Sequence, residues 1–432
     1  MRATLIASSL FAAALVAGCG STVDSSDFGD GATGSGGATS TATTTATSPT
    51  STGSPTTSGE PTGAGGGVTS TATTTTSTGT SGHTYPSPHP GMPQIPNNGG
   101  VTLHDPVIVT ITFPGDADAS FEEGFGDAVG GLAWWNSVTS EYGVGPATNG
   151  GHVRITDALP GSMYDSDLQS WIDARIADGT LPAPTDQTLY ALYMPNTTSI
   201  SFSPQEGGGS SCREFLGYHN TYGHNDGMST TALAYAVIDL CSGSTDDTTD
   251  TASHEFAEAA TDPHPAIPGL AYMILDDTPW TLDGGEVADM CDEMSSVQEA
   301  GYNLTRSWSN ANAAIGQQPC QPAPPDPNST PYFNTAPDTD TLSATPGTSV
   351  TVNLHCYSFG PLANPMQLMA QAYSPDILTF SFDHPTCVDG DVVVMTVDVA
   401  ATAQHGTPYH FELLPEIDAD TGHLWRGEVQ VN

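Results

Sequence analysis

Lysine is absent from the sequence, and the only six cationic side chains are arginines. They are outnumbered by 48 aspartates and glutamates, so the formal net charge of the 432-residue chain is -42 at pH 7. A surface this acidic repels the phosphates of nucleic acid, so nucleic acid is excluded as a partner. Most of these carboxylates are expected to form a solvated surface, which suits high salt or divalent cations.

Long apolar runs are equally scarce. Residues 5–16 form an apolar stretch that follows Arg2 and is too short to span a bilayer as a permanent helix. The stretch ends in Val-Ala-Gly-Cys at Cys19, which resembles a lipobox. We therefore predict a lipoprotein signal peptide over residues 1–18 and a lipid on Cys19. The lipid would anchor the protein at the outer membrane or cell surface, with the folded domains outside the cytoplasm. The alternative is an ordinary signal peptide that ends near a cysteine by chance.

Large apolar side chains are also rare between residues 19 and 100, where Thr, Ser, Gly and Pro dominate. Such a segment buries too little surface to offset the entropy of ordering it. We predict that residues 19–100 consist of the lipidated cysteine and a disordered tether. About 75 flexible residues span roughly 45–50 Å, which would hold a domain clear of a membrane.

Cysteine is sparse, with seven in the whole chain. If Cys19 carries lipid, an even set remains, and an oxidising compartment allows disulfides to form. We predict sequential pairing, because each pair would then brace one local unit. A thiolate metal site is the weaker alternative, since the sequence has no C-x-x-C spacing. The predicted disulfides are Cys212–Cys241, Cys291–Cys320 and Cys356–Cys387.

Strand and helix patterns alternate between residues 101 and 321, which indicates a mixed α/β (α+β) domain. Strands are predicted at 107–113, 189–194 and 233–238. A helix is predicted over 121–142, and another through 253–260 after an acidic turn at 246–250.

A Pro-rich stretch at 319–331 predicts a linker. Residues 332–432 then show strand-length apolar runs separated by turn residues, which predict a small all-β, immunoglobulin-like sandwich. We expect this sandwich to serve adhesion or spacing.

Chemistry concentrates in the segment His254-Glu255-Phe256-Ala257-Glu258. Positions four apart share a face of a helix, so His254 and Glu258 could bind one metal ion. Glu255 would lie beside that face as a general base that activates water, as in H-E-x-x-H metallopeptidases. Glu286 is the predicted third ligand, and Asp289 is a second-tier candidate. The alternative is a polar helix whose His and Glu side chains face water.

Residues 253–263, S-H-E-F-A-E-A-A-T-D-P, also carry a family resemblance. They resemble the segment S-H-E-x-A-E-x-x-(S/T)-(D/N)-P of the phosphate-induced/EXORDIUM-like secreted proteins and of related bacterial lipoproteins with an H-E-x-x-E motif. The resemblance covers about residues 101–320 and excludes the tether and the sandwich. Further segments in the family's order are Trp134-Trp135, 142–145, Cys212 with 217–219, 235–238 before Cys241, 285–289 before Cys291, 305–310, and Cys320.

The resemblance implies a zincin-like metallopeptidase fold. It does not by itself imply peptidase activity, because the plant members are growth-associated wall proteins. Zinc is the first expectation for the metal. A site with one imidazole and several carboxylates is harder than a typical zinc site, so manganese and calcium remain alternatives.

Three further histidines are candidate site residues. His219 belongs to the family pattern and could be an oxyanion donor or a ligand, although a structural, hydrogen-bonded histidine is the favoured interpretation. His224 and His264 have weaker claims.

The sequence thus leads to a surface-anchored, metal-dependent hydrolase of peptide bonds, with a membrane contact through its lipid. The alternative is a non-catalytic exported module that keeps the zincin-like fold and binds a protein or a cell-wall polymer.

Overall fold

The computed structural model describes residues 77–78, 83–203, 208–227, 229–264, 269–292, 294–324, 329–417 and 424–432. Cys19, the signal peptide and most of the predicted tether lie outside these residues. In the part of the chain that the structure describes, no helix is long and apolar enough to cross a membrane.

In the described residues up to 324, the first part of the fold has thirteen strands and five α-helices. The strands are β1 (Ser77–Thr78), β2 (Thr84–Tyr85), β3 (Val107–Thr112), β4 (Thr148–Arg154), β5 (Ser162–Tyr164), β6 (Thr188–Met194), β7 (Ser199–Ser201), β8 (Gly217–Asn225), β9 (Thr230–Asp239), β10 (Val297–Glu299), β11 (Tyr302–Leu304), β12 (Ser307–Trp308) and β13 (Cys320–Gln321). The helices are α1 (Ala119–Ala128), α2 (Ala133–Thr139), α3 (Asp165–Ala177), α4 (Thr245–Thr261) and α5 (Asn310–Ala314).

A five-stranded sheet in the order β4-β3-β6-β9-β8 forms the centre of this part. The first four strands are parallel, and β8 lies antiparallel to β9 at one edge. Every residue of β6 is buried, and alternate side chains belong to two separate hydrophobic clusters. Both faces of the sheet are therefore covered, as is typical of parallel sheets with apolar strands. The predicted strands at 107–113, 189–194 and 233–238 are confirmed as β3, β6 and β9.

Helix α4 covers one face of the sheet and is longer than expected. The predicted acidic turn at 246–250 forms the first turns of the helix, because Ser244 caps it by accepting a hydrogen bond from the Asp247 N–H at 3.3 Å. The negative charges of Asp246 and Asp247 also interact favourably with the positive, N-terminal end of the helix dipole. The predicted helix over 121–142 is instead split into α1 and α2, with a 3₁₀ turn at Val129–Gly131 that ends in two glycines.

The predicted tether boundary at residue 100 is too late. Met92 and Ile95 are buried, and the Ile95 N–H donates to the Asn310 side chain at 2.8 Å. The Asn310 amide donates back to the Ile95 carbonyl at 2.8 Å. These few apolar residues are enough to hold residues 83–100 against the fold, although the segment as a whole has the composition of a tether.

In the second part, the residues that the structure describes from 329 to 417 and from 424 to 432 form strands and no helix. They are β14 (Phe333–Pro337), β15 (Thr341–Ala344), β16 (Ser349–Ser358), β17 (Met366–Gln367), β18 (Ala370–Ala372), β19 (Leu378–Phe382), β20 (Thr386–Cys387), β21 (Val392–Val399), β22 (Pro408–Leu413) and β23 (Trp425–Val431). Two four-stranded sheets, β14-β16-β21-β19 and β15-β23-β22-β18, pack together through contacts such as Phe380 with Phe411, whose ring centroids lie 5.3 Å apart. The molecule is thus a mixed α+β protein that is richer in strand than in helix.

The two parts share a packed interface in spite of the Pro-rich stretch between them. The Trp280 ring contacts Trp308 at 5.4 Å and Trp425 at 5.6 Å between centroids. Arg426 Nη2 lies 3.1 Å from Asp283 Oδ2, which forms a largely buried ion pair. Residues 319–331 therefore connect two parts that also touch each other directly.

The three predicted disulfides are confirmed. Cys212–Cys241 joins the β8 side of the sheet to the end of β9, and Cys291–Cys320 closes the site region. Cys356–Cys387 joins β16 of one four-stranded sheet to the short strand β20. Three disulfides are typical of a protein that folds in an oxidising compartment outside the cytoplasm.

Candidate metal centre

Helix α4 presents His254 and Glu258 on one face, with His254 Nε2 3.2 Å from Glu258 Oε2. The opposite side of the helix packs into the core, where the Phe256 ring stacks on Phe125 with centroids 5.7 Å apart. From Thr251 onward the helix is buried. The predicted alternative of a polar helix facing water is therefore wrong.

A loop from the other side of the site supplies Asp289. Its Oδ1 lies 3.3 Å from His254 Nε2. Glu258 Oε1 accepts hydrogen bonds from the backbone N–H groups of Ala288 at 3.2 Å and Asp289 at 3.0 Å, which leaves Oε2 facing the histidine. Ligand atoms that lie about 2.0–2.1 Å from zinc at tetrahedral angles are about 3.3 Å apart. The two distances from His254 Nε2 thus match the separation of two ligands of one ion, and His254, Glu258 and Asp289 form a group that could hold a metal ion.

The shape of this loop depends on Gly284 and on a disulfide. Gly284 has φ +143°, and a Cβ at this position would lie 1.9 Å from Asp289 Oδ2. A 3₁₀ turn at Asp289–Cys291 follows, and its last residue is bonded to Cys320. The turn and the disulfide fix where the Asp289 carboxylate lies.

His219 enters the same cluster from the edge strand β8. Its Nδ1 lies 3.4 Å from Glu255 Oε2 and 3.8 Å from Glu258 Oε2, and its Nε2 lies 3.3 Å from Glu286 Oε1. The sequence favoured a structural role for this residue, whereas the structure groups it with Glu258 and Glu286 as potential metal ligands.

The two weaker histidine candidates have partners elsewhere. His224 Nδ1 lies 2.6 Å from Asp173 Oδ1, and His264 Nδ1 lies 3.1 Å from Thr221 Oγ1. Neither belongs to a metal-competent group among the residues that the structure describes.

Several carboxylate oxygens in the cluster are buried without hydrogen bonds. Glu255, Glu258 and Glu286 are at most 1% exposed. Within the described ranges, no group donates a hydrogen bond to Glu255 Oε1, to Glu258 Oε2 or to either oxygen of Glu286. A buried carboxylate without donors costs several kcal/mol unless a proton or a cation neutralises it. The cluster therefore requires positive charge.

The pKa values of the cluster also show that it requires positive charge. Burial raises the pKa of Glu286 to about 8 and that of Asp289 to about 7, and the Glu258 charge adds to both shifts. Burial also raises the pKa of Glu258, but His254 and His219 outweigh it and the net pKa is lowered. Burial lowers the pKa of His219, but Glu286 and Glu255 outweigh it and raise this pKa well above its usual value. Protons held in this way compete with a metal ion for the same atoms.

Two further residues of the resemblance segment position the site. Ser253 Oγ accepts a hydrogen bond from the Thr305 N–H at 2.9 Å, which connects α4 to the end of β11. Asp262 Oδ1 accepts from the Ala271 N–H at 3.0 Å just beyond the helix. Ser253 and Asp262, the first and last polar residues of the segment, therefore each have a structural role.

All six candidate side chains are brought together, but in a different order from the prediction. Asp289, ranked second for the metal, lies beside His254, whereas Glu286 lies beside His219. Asp239 is an additional buried carboxyl group at the end of β9, and its pKa is raised by burial and also by Glu255. The signal in the sequence that points to Asp239 is a carboxylate at the carboxyl end of a buried apolar strand.

Removing the Cys291–Cys320 disulfide should weaken both the fold and the metal site. A double alanine variant is expected to lose about 2–4 kcal/mol of unfolding free energy and to bind metal more weakly, because the Asp289 turn is released. Urea unfolding and metal titration measure the two effects. The matched control is the double variant at Cys356 and Cys387, whose sequence separation of 31 is close to the 29 of the first bridge. Equal metal affinity in the two variants would contradict the role of the turn.

Comparison with known proteins gives limited similarity. No family model and no curated protein matches the chain. Among solved structures, domains 4 and 5 of the S-layer protein SbsC are 14% identical over 23% of this chain and 53% of that one, with a TM-score of 0.18. A conjugative transposon lipoprotein from Bacteroides eggerthii is 9% identical over 22% of this chain and 95% of that one, with a TM-score of 0.18.

A Bacteroides ovatus GH5 xyloglucanase is 11% identical over 23% of this chain and 19% of that one, with a TM-score of 0.17. The chain thus spans about half of the S-layer fragment and a fifth of the xyloglucanase. TM-scores at this level do not establish a shared fold, so the chemistry of the site rests on its own geometry.

Proposed function

We propose that the protein is a metal-dependent hydrolase whose ion is held by His254, Glu258 and Asp289. The observation that carries this proposal is the convergence of the three donor atoms, with His254 Nε2 3.2 Å from Glu258 Oε2 and 3.3 Å from Asp289 Oδ1. Three protein ligands with one open position are typical of catalytic zinc sites. Zinc is therefore the first choice, and manganese is the second because of the carboxylates. Calcium is the least favoured of the three metals, because calcium prefers oxygen ligands and His254 offers a nitrogen.

Glu255 is placed to act as the general base. Its Oε2 is 3.4 Å from His219 Nδ1, from which it accepts a hydrogen bond, and its Oε1 stays available to receive a proton. Burial raises the pKa of this carboxyl group, which makes it a better proton acceptor near neutral pH. A bound divalent ion would supply the complementary chemistry by polarising the substrate carbonyl and making water more acidic.

A peptide bond is the proposed target, and this part of the proposal rests on the resemblance to zincin-like proteins. We also propose that the first part has a zincin-like fold and that the C-terminal sheets form an immunoglobulin-like sandwich. The C-terminal sheets would provide adhesion or spacing, with a protein or a cell-wall polymer as partner.

One observation favours a second candidate, a non-catalytic module with a structural ion. All the cluster side chains are buried, and the most exposed of them, His219, is only 5% accessible. An ion enclosed to this degree would stabilise the fold even without turnover.

A peptide-library assay separates the two candidates. The full-length chain loaded with zinc or manganese is expected to cleave library peptides, and a chelator should abolish cleavage. Absence of cleavage by a folded, metal-loaded protein would favour the structural ion.

The lipid anchor is a separate part of the proposal, and Cys19 carries it. Cys19→Ser is expected to move the protein from the membrane fraction to the soluble fraction, because no other apolar anchor was found in the sequence. Fractionation after a salt wash, followed by immunoblotting, measures this, with Thr22→Ala as the matched control. A serine variant that stays with the membranes would rule out the lipid anchor.

A further inference from the structure

A second set of metal ligands adjoins the first. His219, Glu258 and Glu286 each offer one donor atom, and the three atoms lie within 4.8 Å of one another. His254, Glu258 and Asp289 satisfy the same criterion. Glu258 is therefore common to both sets, and its Oε2 lies 3.2 Å from His254 Nε2 and 3.8 Å from His219 Nδ1.

Glu286 is the residue that a single ion on the first set leaves unexplained. It is 1% exposed, and in the described part of the chain neither of its oxygens accepts a well-aligned hydrogen bond. His219 Nε2 lies 3.3 Å from Glu286 Oε1, yet this nitrogen also makes no hydrogen bond there. At this separation, His219 Nε2 and Glu286 Oε1 are close enough to bind one cation together.

Among the described residues, no arginine forms an ion pair with a carboxylate of the cluster. The ion pairs of Arg154, Arg175 and Arg426 go to carboxylates outside the cluster, and lysine is absent from the chain. In the described residues, the salt-bridge partners of the cluster's carboxylates are its two imidazoles.

The negative charge of the cluster also favours two ions. Glu255, Glu258, Glu286 and Asp289 together carry four negative charges when ionised, all of them buried. One divalent ion neutralises half of this charge, and a second neutralises the remainder. Two-metal sites with ions about 3.5–4 Å apart are well suited to hydrolytic chemistry.

We propose that the site binds two divalent ions bridged by Glu258 Oε2, one held by His254 and Asp289 and the other by His219 and Glu286. This inference rests on the proposed function and extends it to a two-metal centre. Glu255 accepts the hydrogen bond from His219 Nδ1 and so directs Nε2 towards the second ion, as carboxylates commonly orient metal-bound histidines. Loss of Glu286 should therefore remove one ion, and loss of Glu258 should remove both.

Metal content of the full-length chain tests the proposal. The protein is stripped with a chelator, loaded with Mn²⁺, and analysed for bound metal per folded chain and for electron paramagnetic resonance. We expect two ions per chain and the signal of an exchange-coupled pair. Glu286→Gln should bind one ion and give the signal of isolated Mn²⁺. His224→Ala, on the same strand as His219 but outside the cluster, should keep both ions.

The outcomes separate this inference from the proposed function. One ion per chain that is unaffected by Glu286→Gln and lost in Asp289→Asn would overturn the two-metal centre and leave the proposed function standing. No bound ion in the wild type would overturn both. If Glu286→Gln does not fold, the wild-type spectrum decides, because an uncoupled Mn²⁺ signal contradicts the bridge and a coupled one supports it.

Discussion

Glu255→Gln is expected to reduce turnover by about 10²–10⁴-fold while the bound metal is retained. The amide cannot take a proton from water, but the first ion keeps its ligands because residue 255 is not one of them. The rate on a cleaved library peptide and the metal content of the same sample measure the two halves of this result.

The matched control for this variant is Glu416→Gln. Glu416 lies in the C-terminal part, where its backbone N–H donates to the Gln367 carbonyl at 2.8 Å, and it belongs to neither group of potential metal ligands. The control should cleave at the wild-type rate. A Glu255→Gln variant with wild-type turnover would exclude this residue as the base, and one that loses its metal would make it a ligand or a structural support instead.

His254→Ala is expected to lose most of the metal at the first position and much of the stability that the metal confers. An ion present at a thousandfold excess over its dissociation constant stabilises the folded state by about 4 kcal/mol. Metal analysis and thermal unfolding, with and without chelator, measure the loss. His355→Ala, which removes a surface histidine paired with Asp338 at 2.6 Å, is the control and should bind metal normally.

The chelator also separates loss of metal from loss of packing. Stripped wild type and stripped His254→Ala should unfold at similar temperatures if the metal accounts for the difference. A large difference that persists after stripping would show that His254 stabilises the fold through contacts of its own.

Local sequence patterns predicted the parts of the site that lie on one element. The His254–Glu258 pair follows from helical spacing, and the burial of β3, β6 and β9 follows from their apolar composition. The three disulfides followed from their spacing within local units. The alternating burial of β16 and β21 likewise agrees with their alternating sequence.

Contacts between distant segments could not be predicted in the same way. The position of Asp289 depends on the positive φ of Gly284 and on the bond between Cys291 and Cys320. The sequence does not show where these two constraints place the Asp289 carboxylate. His219 reaches the cluster only because β8 pairs antiparallel with β9 and brings it alongside α4. Trp280 packs against Trp425, and no local pattern in the sequence around either residue indicates this contact.

The most direct test of the central claim is anomalous diffraction from crystals of the zinc-loaded protein, collected on both sides of the zinc absorption edge. We predict a zinc peak about 2.0–2.2 Å from His254 Nε2, Glu258 Oε2 and Asp289 Oδ1. An anomalous map without a peak among these atoms, in crystals where the three side chains are ordered, would contradict the metal centre.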